Sequence, residues 1–329
     1  MNLINLLRRT LVCTCVALTA LHATPTLAQS TFPNKPVRLV VPFATGGASD
    51  TFARLVGQVL SERLGQPFVV ENRTGAGGTV GANLVAKAPA DGYTLFVGDI
   101  GTHGIASSLY TKLGYDPIKD FVPISYSVSS PLVLVVTPSL QAKDVRSFIA
   151  DARARPGKLD YASSGRGGIS HLAVEMLKAQ TGIYMVHVPY KGGAPALTDL
   201  MGGQVQMMMP SVSTSLQHIR SGRLRALGVA STKRSSVLPD IPTLRESGLP
   251  DYVVEPWIGI MAPAGTSKAV TDLLQREFSA VLALPAVREK LMVQGFEVVG
   301  GNGDELARVI KNDVARWATI VKQSGAQVE

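Results

Sequence analysis

The chain has 329 residues, of which 46% are hydrophobic, and 32 Lys+Arg against 24 Asp+Glu give it a net charge of +8. This hydrophobic content excludes a disordered chain, and the length is sufficient for two α/β domains with their own cores. The basic residues are scattered singly or in pairs with few aromatic residues between them, which argues against nucleic-acid binding and favours mild attraction of anionic ligands.

The N-terminus has the pattern of a cleavable export signal. Two arginines precede an apolar run at residues 11–21, which is shorter than the ~20 residues needed to span a bilayer. Small residues predict cleavage after Ala28, with Ala23 as the weaker alternative. The only cysteines, Cys13 and Cys15, lie inside this segment. We therefore expect a periplasmic mature protein without a disulfide, a thiol nucleophile or a cysteine metal site.

The first element of the mature chain is a strand that breaks at a glycine pair and restarts as a helix. The β-branched run Val37–Val41 predicts the strand, Gly46 and Gly47 allow a tight turn, and Ser49 or Asp50 is the predicted N-cap. Amides at such a helix start lie at the positive end of the helix dipole, which suits a carboxylate or phosphate. The alternative is an ordinary turn whose amides bind water.

Strand and helix patterns then alternate, which predicts largely parallel sheets joined by helical crossovers. The further predicted strands are residues 68–71, 94–98, 132–137, 159–162, 185–189, 205–209 and 224–230. The predicted helices are residues 51–64, 81–87, 145–155, 171–181, 194–201, 268–284 and 305–324. The last helix has apolar residues at helical spacing, and Trp317 on that face is expected in the core.

Two extended stretches, residues 127–131 and 253–263, are interpreted as crossings between domains. A chain that crosses twice has a split first domain, an inserted second domain and a cleft between them. The predicted boundaries are residues 29–130 and 256–329 for the first domain and 131–255 for the second.

The pattern of strand, glycine loop and helix occurs twice more, in FVVENRTGAGGTVGAN from Phe68 and LDYASSGRGGISHLAVEML from Leu159. The middle loop (residues 73–81) does not have the spacing of a dinucleotide fingerprint or of a P-loop. For it we leave open close helix-to-sheet packing and ligand contact. The first loop (residues 43–50) and the glycine-serine loop (residues 163–171) fall in different predicted domains, so their amides could face each other.

Catalytic patterns are weak. The histidines outside the signal segment are His103, His171, His187 and His218, and none has the spacing of a zinc site. Ser170 beside His171 suggests a hydrolase, but adjacent helical residues point in different directions. Ser170 as N-cap and His171 as a donor toward the loop or ligand is the favoured interpretation. We expect no catalysis, no metal and no cofactor.

Several long motifs of the sequence resemble those of a known protein family. FPNKPVRLVVPFATGGASDTFAR, VPYKGGAPALTDLMGGQV and LPDIPTLRESGLP resemble the substrate-binding proteins of tripartite tricarboxylate transporters, the Bug family, and the likeness covers essentially the whole mature chain. The resemblance implies a fold like that of type II periplasmic binding proteins, with two α/β domains and a ligand cleft. It implies a monomer that captures a small organic carboxylate and delivers it to membrane permease subunits. The alternative is a ligand sensor that feeds a signalling receptor.

The resemblance also nominates site residues, because the family holds a carboxylate between the first loop and the glycine-serine loop. In the first loop they are Phe43, Ala44, Thr45, Gly46, Gly47 and Asp50. In the glycine-serine loop they are Ser163, Ser164, Gly165, Arg166, Gly167, Ser170 and His171. Tyr190, Ser211 and His103 are nominated from other segments, His103 with a loop-stabilising role as the alternative.

Three positions depart from the usual pattern of the family. Arg166 stands where relatives have a small or apolar residue, and Ser211 ends a segment that often carries an acidic residue. The start of the last helix, residues 302–305, is also unusual and is expected to change only capping. We predict that Arg166 holds the distal group of a ligand with two carboxylates, or with one carboxylate and another acceptor.

Overall fold

The computed structural model describes residues 32–326, so the predicted export signal lies outside the described residues. The described residues from Lys35 onward belong to one compact unit. Within the described part, none of the helices combines the length and the apolar character needed to cross a membrane.

Eleven strands and ten α-helices form the described chain. The strands are β1 (Val37–Val41), β2 (Phe68–Asn72), β3 (Thr94–Asp99), β4 (Phe121–Ser129), β5 (Val133–Val136), β6 (Asp160–Ser163), β7 (Val186–Pro189), β8 (Met207–Met208), β9 (Arg225–Val229), β10 (Trp257–Pro263) and β11 (Glu297–Asn302). The helices are α1 (Ala48–Leu64), α2 (Thr79–Ala86), α3 (Ala106–Leu109), α4 (Val145–Ala154), α5 (Ile169–Thr181), α6 (Gly193–Met201), α7 (Val212–Arg220), α8 (Lys268–Ala283), α9 (Pro285–Val293) and α10 (Gly303–Ser324). A 3₁₀ turn, Ala76–Gly78, precedes α2, and a π-helical turn, Gly101–Ile105, precedes α3.

The strands form two mixed sheets. The six-stranded sheet has the order β11-β4-β10-β3-β1-β2, and the five-stranded sheet has the order β7-β6-β8-β5-β9. β1 pairs in parallel with β2 and β3, whereas β10 is antiparallel to β3 and β4. In the second sheet β6 is parallel to β7 and β8, and β5 is antiparallel to β8 and β9. The α/β class is confirmed, but the prediction of largely parallel sheets is wrong.

The helix starts also differ from the predictions. The N-cap of α1 is Gly47, not Ser49 or Asp50, and the N-cap of α5 is Gly168, not Ser170. Both glycines have extended backbone and supply no side chain, so the first amides of each helix are left to other acceptors.

The start of α10 is capped by its own side chains. Asn302 is the N-cap, and its side chain and that of Glu305 form a capping box with each other's backbone amides. Trp317 on the same helix has no exposed surface, which confirms its predicted place in the core.

The carboxyl ends of the parallel strands lie beside the segments that join the two sheets. Because β10 is antiparallel to both β3 and β4, β4 ends and β10 begins at the edge where β1, β2 and β3 end. The joining segments pair with each other there: the Ser130 amide donates to the Pro256 carbonyl at 2.8 Å, and the Leu132 amide to the Val254 carbonyl at 3.4 Å. The division into two domains remains a prediction.

Candidate ligand-binding site

The turn of the first loop is closed by its own acceptors. Gly46 has φ of +83°, a conformation that favours glycine, and its amide donates to Asp50 Oδ2 at 2.9 Å. The Gly47 amide donates to the Ala44 carbonyl at 3.2 Å. Two amides that the sequence suggested for a ligand therefore have partners inside the protein. The amides of Ala48 and Ser49, in the first turn of α1, have no acceptor within the described residues.

Asp50 acts as an internal anion at the start of α1. Its side chain is buried, and it accepts hydrogen bonds from Arg54 Nε at 3.0 Å and Asn72 Nδ2 at 3.0 Å as well as from Gly46. Burial acts to raise the pKa of Asp50, but the hydrogen bonds from Arg54, Gly46 and Asn72 together hold it below its ordinary value. Asn72 also donates to the Phe43 carbonyl at 2.9 Å, which fixes the loop. Asp50 thus shapes the loop from the inside.

The outer part of the first loop is exposed. Ala44, Thr45 and Gly46 are exposed and Phe43 is half-buried. The Thr45 hydroxyl donates to Asn72 Oδ1 at 3.3 Å. The Thr45 amide has no acceptor among the described residues, so this side of the loop retains a donor for a ligand.

In the glycine-serine loop, too, acceptors within the loop bind several of the backbone amides. Its Ser164 amide donates to Ser170 Oγ at 3.0 Å, and its Gly165 amide to Ser163 Oγ at 3.2 Å. The Gly167 amide donates to His171 Nδ1 at 3.1 Å. The amides without an acceptor in the described chain are those at three positions: Arg166, Ile169 and Ser170. Residues 166–170 are therefore the part of this loop that can bind an anion through its backbone.

Arg166 lies at the tip of the loop. Its side chain is exposed and forms no ion pair or hydrogen bond with the described residues. Burial is the largest cause that lowers the pKa values of His171 and His187, and the charge of Arg166 adds to this lowering.

His187 is a site residue that the sequence analysis did not nominate. It is paired with Tyr161 across β6 and β7, and its ring stacks on those of Tyr161 and His171, with centroid distances of 4.8 and 4.1 Å. Its Nε2 lies 2.6 Å from Ser163 Oγ, the hydroxyl that accepts from Gly165. This stack supports the glycine-serine loop from below. Burial is the largest cause that lowers the pKa of His187 to about 4, followed by the charges of His171 and Arg166.

The lowered pKa of His187 predicts a loss of stability in acid. Above pH 6.5 the histidine is neutral in both the folded and the unfolded chain; as the pH falls toward 4, only the unfolded chain takes up the proton. Because His187 is partly exposed, we expect the free energy of unfolding to fall by about 1 to 2 kcal/mol from this group. His187→Phe keeps a ring in the stack and should weaken the pH dependence measured by urea unfolding between pH 4 and pH 7.

The matched control is His218→Phe on α7, which should weaken the pH dependence less than His187→Phe does, because burial and Arg223 lower the pKa of His218 by a smaller amount. If wild type and His187→Phe lose equal stability between pH 7 and pH 4, protonation of His187 is not the cause of the acid sensitivity.

Ser170 and His171 do not form a catalytic pair. Ser170 Oγ lies 3.0 Å from Ser164 Oγ and accepts from the Ser164 amide, while His171 Nδ1 accepts from Gly167. The other ring nitrogen of His171 lies 3.9 Å from Glu175 Oε1. Because the imidazole faces away from the Ser170 hydroxyl, the hydrolase alternative has no geometric support. His171 accepts from the loop instead of donating to it, contrary to the expectation.

The glycines of the middle loop allow close packing against neighbouring residues. A Cβ on Gly78 would lie 2.8 Å from Thr102 Cγ2, and one on Gly81 would lie 2.9 Å from the Arg73 carbonyl oxygen. Gly77 has φ of +64° and approaches the Tyr110 hydroxyl. These contacts favour the packing alternative.

The end of α3 links the loops of the two sheets. Tyr110 lies over Gly77 of the middle loop, and the preceding residue, Leu109, contacts Gly167 of the glycine-serine loop. A Cβ on Gly167 would lie 2.6 Å from Leu109 Cδ1. The glycine-serine loop therefore packs directly on an element of the first sheet.

The remaining nominated residues lie in different environments. The Tyr190 amide donates to the Ser163 carbonyl, and its hydroxyl donates to Asp199 Oδ2 at 2.7 Å, with burial as the first cause that raises its pKa to about 12. Ser211 is the N-cap of α7 and is half-buried. Both stand at the carboxyl edge of the second sheet.

His103 has no exposed surface. It packs against Phe96 and, edge to face, against Phe121, and Thr102 Oγ1 lies 3.1 Å from its Nδ1. Burial lowers its pKa to about 3. The structure therefore places His103 in the core, in agreement with the loop-stabilising alternative.

Asp99 is a second residue that the sequence analysis did not nominate. It ends β3 at the same edge as the first loop, and its Oδ1 accepts from the Thr102 amide and hydroxyl, both at 2.9 Å. Burial raises its pKa to about 6, against the lowering effect of hydrogen bonds from Thr102 and Gly101. An acidic residue directly after a buried strand was the available signal.

Comparison with known proteins assigns the chain to a family. Residues 52–326 match the family described as tripartite tricarboxylate transporter family receptor. The chain belongs to this receptor family. It is 38% identical to protein BugT of Bordetella pertussis over 304 residues. The matched region covers 92% of this chain and 93% of BugT. The receptor family consists of solute-binding proteins, so this protein is not an enzyme.

Two solved structures from Rhodopseudomonas palustris are similar over nearly the whole fold. Rpa4515, solved with adipate, is 38% identical with a TM-score of 0.84, over 89% of this chain and 98% of that protein. MatC, solved with bound malate, is 36% identical with a TM-score of 0.80, over 88% of this chain and 100% of that protein. The likeness confirms the predicted fold class.

Proposed function

We propose that this receptor captures a small organic carboxylate outside the cytoplasm and delivers it to the membrane subunits of a tripartite tricarboxylate transporter. Export by a signal cleaved after Ala28, a periplasmic location, action as a monomer and a ligand cleft between two domains are parts of the same proposal. The ligand is held between the first loop and residues 166–170 of the glycine-serine loop.

One observation carries the choice of ligand: each loop presents unpartnered amides at the start of a long helix. Ala48 and Ser49 open α1, and Ile169 and Ser170 open α5. Unpaired amides and the helix dipole both favour negative charge. Adipate and malate, bound by the two similar proteins, are both dicarboxylates. A dicarboxylate is therefore the proposed class, and the ligand's chain length is left to experiment.

The test is thermal unfolding in the presence of organic acids and their matching amides. An acid that fits should stabilise the protein by about 2.7 kcal/mol at a hundredfold excess over its dissociation constant, because it binds only the folded state. The amide lacks the charge that the helix starts favour, and its effect should be much smaller. Equal stabilisation by acid and amide would refute the carboxylate site.

The sensor alternative has the same binding step and differs only in the partner. Co-purification with permease subunits on addition of the bound acid supports delivery, whereas capture of a receptor kinase would support sensing. Family membership favours delivery.

A further inference from the structure

Asp99 stands at the centre of the edge that carries the candidate site. β3 lies between β1 and β10, and Asp99 is its last residue. Asp99 is hydrogen bonded to Thr102, whose methyl group contacts Gly78, and the same glycine contacts Phe43 of the first loop. Three successive contacts thus connect the carboxylate of Asp99 to Phe43 of the first loop.

The Asp99 carboxylate has donors on one side and no cation. Thr102 supplies an amide and a hydroxyl to Oδ1, and the Gly101 amide is the other donor. Among the described residues no lysine, arginine or histidine pairs with it, and no charge of opposite sign contributes to its pKa. Asp99 as a residue is half-buried, so it keeps some contact with solvent. Charged groups this enclosed are normally paired, because an unpaired charge loses hydration without compensation.

We propose that Asp99 selects ligands that carry a hydrogen-bond donor beside their carboxylates, with a carboxylate oxygen of Asp99 as the acceptor. This inference rests on the proposed function, because it assigns the donor to the same organic acid that the loops bind. A hydroxyl or ammonium group on the carbon next to a carboxylate has the required chemistry. An acid without such a donor would leave Asp99 unpaired and would add a second negative charge near it.

Matched acids separate the donor from the carboxylates. Isothermal titration calorimetry would compare succinate with malate and aspartate, and glutarate with 2-hydroxyglutarate and glutamate. Wild type should bind a hydroxy or amino derivative at least about tenfold more tightly than its unsubstituted parent, the effect of one charged hydrogen bond. In Asp99→Ala the two affinities should become nearly equal, and the affinity for the parent acid should stay the same or rise.

A second variant guards against misfolding. Asp99→Asn keeps an oxygen for the two hydrogen bonds from Thr102, and it should lose the preference for the amino acid more than the preference for the hydroxy acid, because a neutral amide pairs poorly with ammonium. Asp240→Asn, an exposed turn residue, is the control and should bind every acid as wild type does.

The outcomes distinguish the two proposals. Binding of the parent acids as tightly as the derivatives, or a preference that survives in Asp99→Ala and Asp99→Asn, would overturn the role of Asp99 and leave the carboxylate site standing. Failure of every acid in the panel to bind wild type would overturn the proposed ligand class, and the role of Asp99 with it.

Discussion

Replacing Gly167 with alanine is expected to lower the free energy of unfolding by about 2 to 4 kcal/mol. Two costs add. Gly167 has φ of +72°, a backbone conformation that alanine adopts only with strain. The new Cβ would also lie 2.6 Å from Leu109 Cδ1, so the leucine or the glycine-serine loop must move. Because Leu109 is almost fully buried, it has little room to do so.

A control variant separates the two costs. Gly182, at the end of α5, has φ of +69°, and a Cβ there would have no neighbour within 4 Å. Gly182→Ala should therefore show only the backbone cost, about 1 kcal/mol. In a Leu109→Ala background the extra cost of Gly167→Ala should largely disappear. Urea unfolding measures all three, and equal losses for Gly167→Ala and Gly182→Ala would contradict the contact between loop and helix.

The strands with regular apolar patterns were predictable from the sequence, and those with polar or glycine-rich patterns were not. β1 was predicted with its observed bounds, because a β-branched run ends at a proline. β4 was missed because it contains Pro123 and three serines. Two of those serines are fully buried, with Ser125 Oγ and Ser127 Oγ 3.0 Å apart, so the sheet accepts them only because they satisfy each other.

Other elements were missed for similar reasons. β11 contains two glycines, and only one of its residues, Gly301, is buried, which removes the apolar signal of a strand. β10 was predicted only as an extended run. α9 was not predicted as a separate helix, because it follows α8 after a single residue, Leu284. α7 carries apolar residues at Val212, Leu216 and Ile219, a helical spacing that the polar composition of the segment obscured.

The loops of the candidate site were located from the sequence, but the donors in them were not. Glycine spacing reveals where a chain turns tightly, whereas the acceptor of each amide depends on side chains placed by the fold. Asp50 accepts a hydrogen bond from the Gly46 amide, and His171 accepts one from the Gly167 amide. Gly47 has φ of −75°, so a side chain there would not strain the backbone, contrary to the reason for which it was singled out.

The residues missed at the site share a cause. His187 became important only through the register of β6 and β7, which places it opposite Tyr161. The sequence separates these two residues widely and gives no signal of their pairing. Asp99 had a local signal, but its lack of a cation is a property of the folded surroundings.

We expect Arg166 to hold the distal carboxylate of a ligand. An arginine in a loop can extend into water without cost, and the sequence alone favours that state. One structural observation leaves the inward state open. The guanidinium has no ion-pair or hydrogen-bond partner among the described residues, so no contact holds it away from a ligand. The backbone amides of residues 166, 169 and 170 can serve one carboxylate, which leaves the guanidinium for the other.

Arg166→Ala is therefore expected to weaken the binding of a dicarboxylate by about 1.5 to 3 kcal/mol, the range for a charged hydrogen bond, or about 10- to 150-fold in Kd. A monocarboxylate of the same length should bind wild type and variant alike. Arg308→Ala, which removes an exposed arginine on α10, is the control and should change neither the affinity for the dicarboxylate nor that for the monocarboxylate. Arg166→Lys should recover only part of the loss, because an ammonium cannot form the paired hydrogen bonds of a guanidinium. Calorimetric titration that gives equal affinities for wild type and Arg166→Ala with every acid bound would place the side chain in solvent.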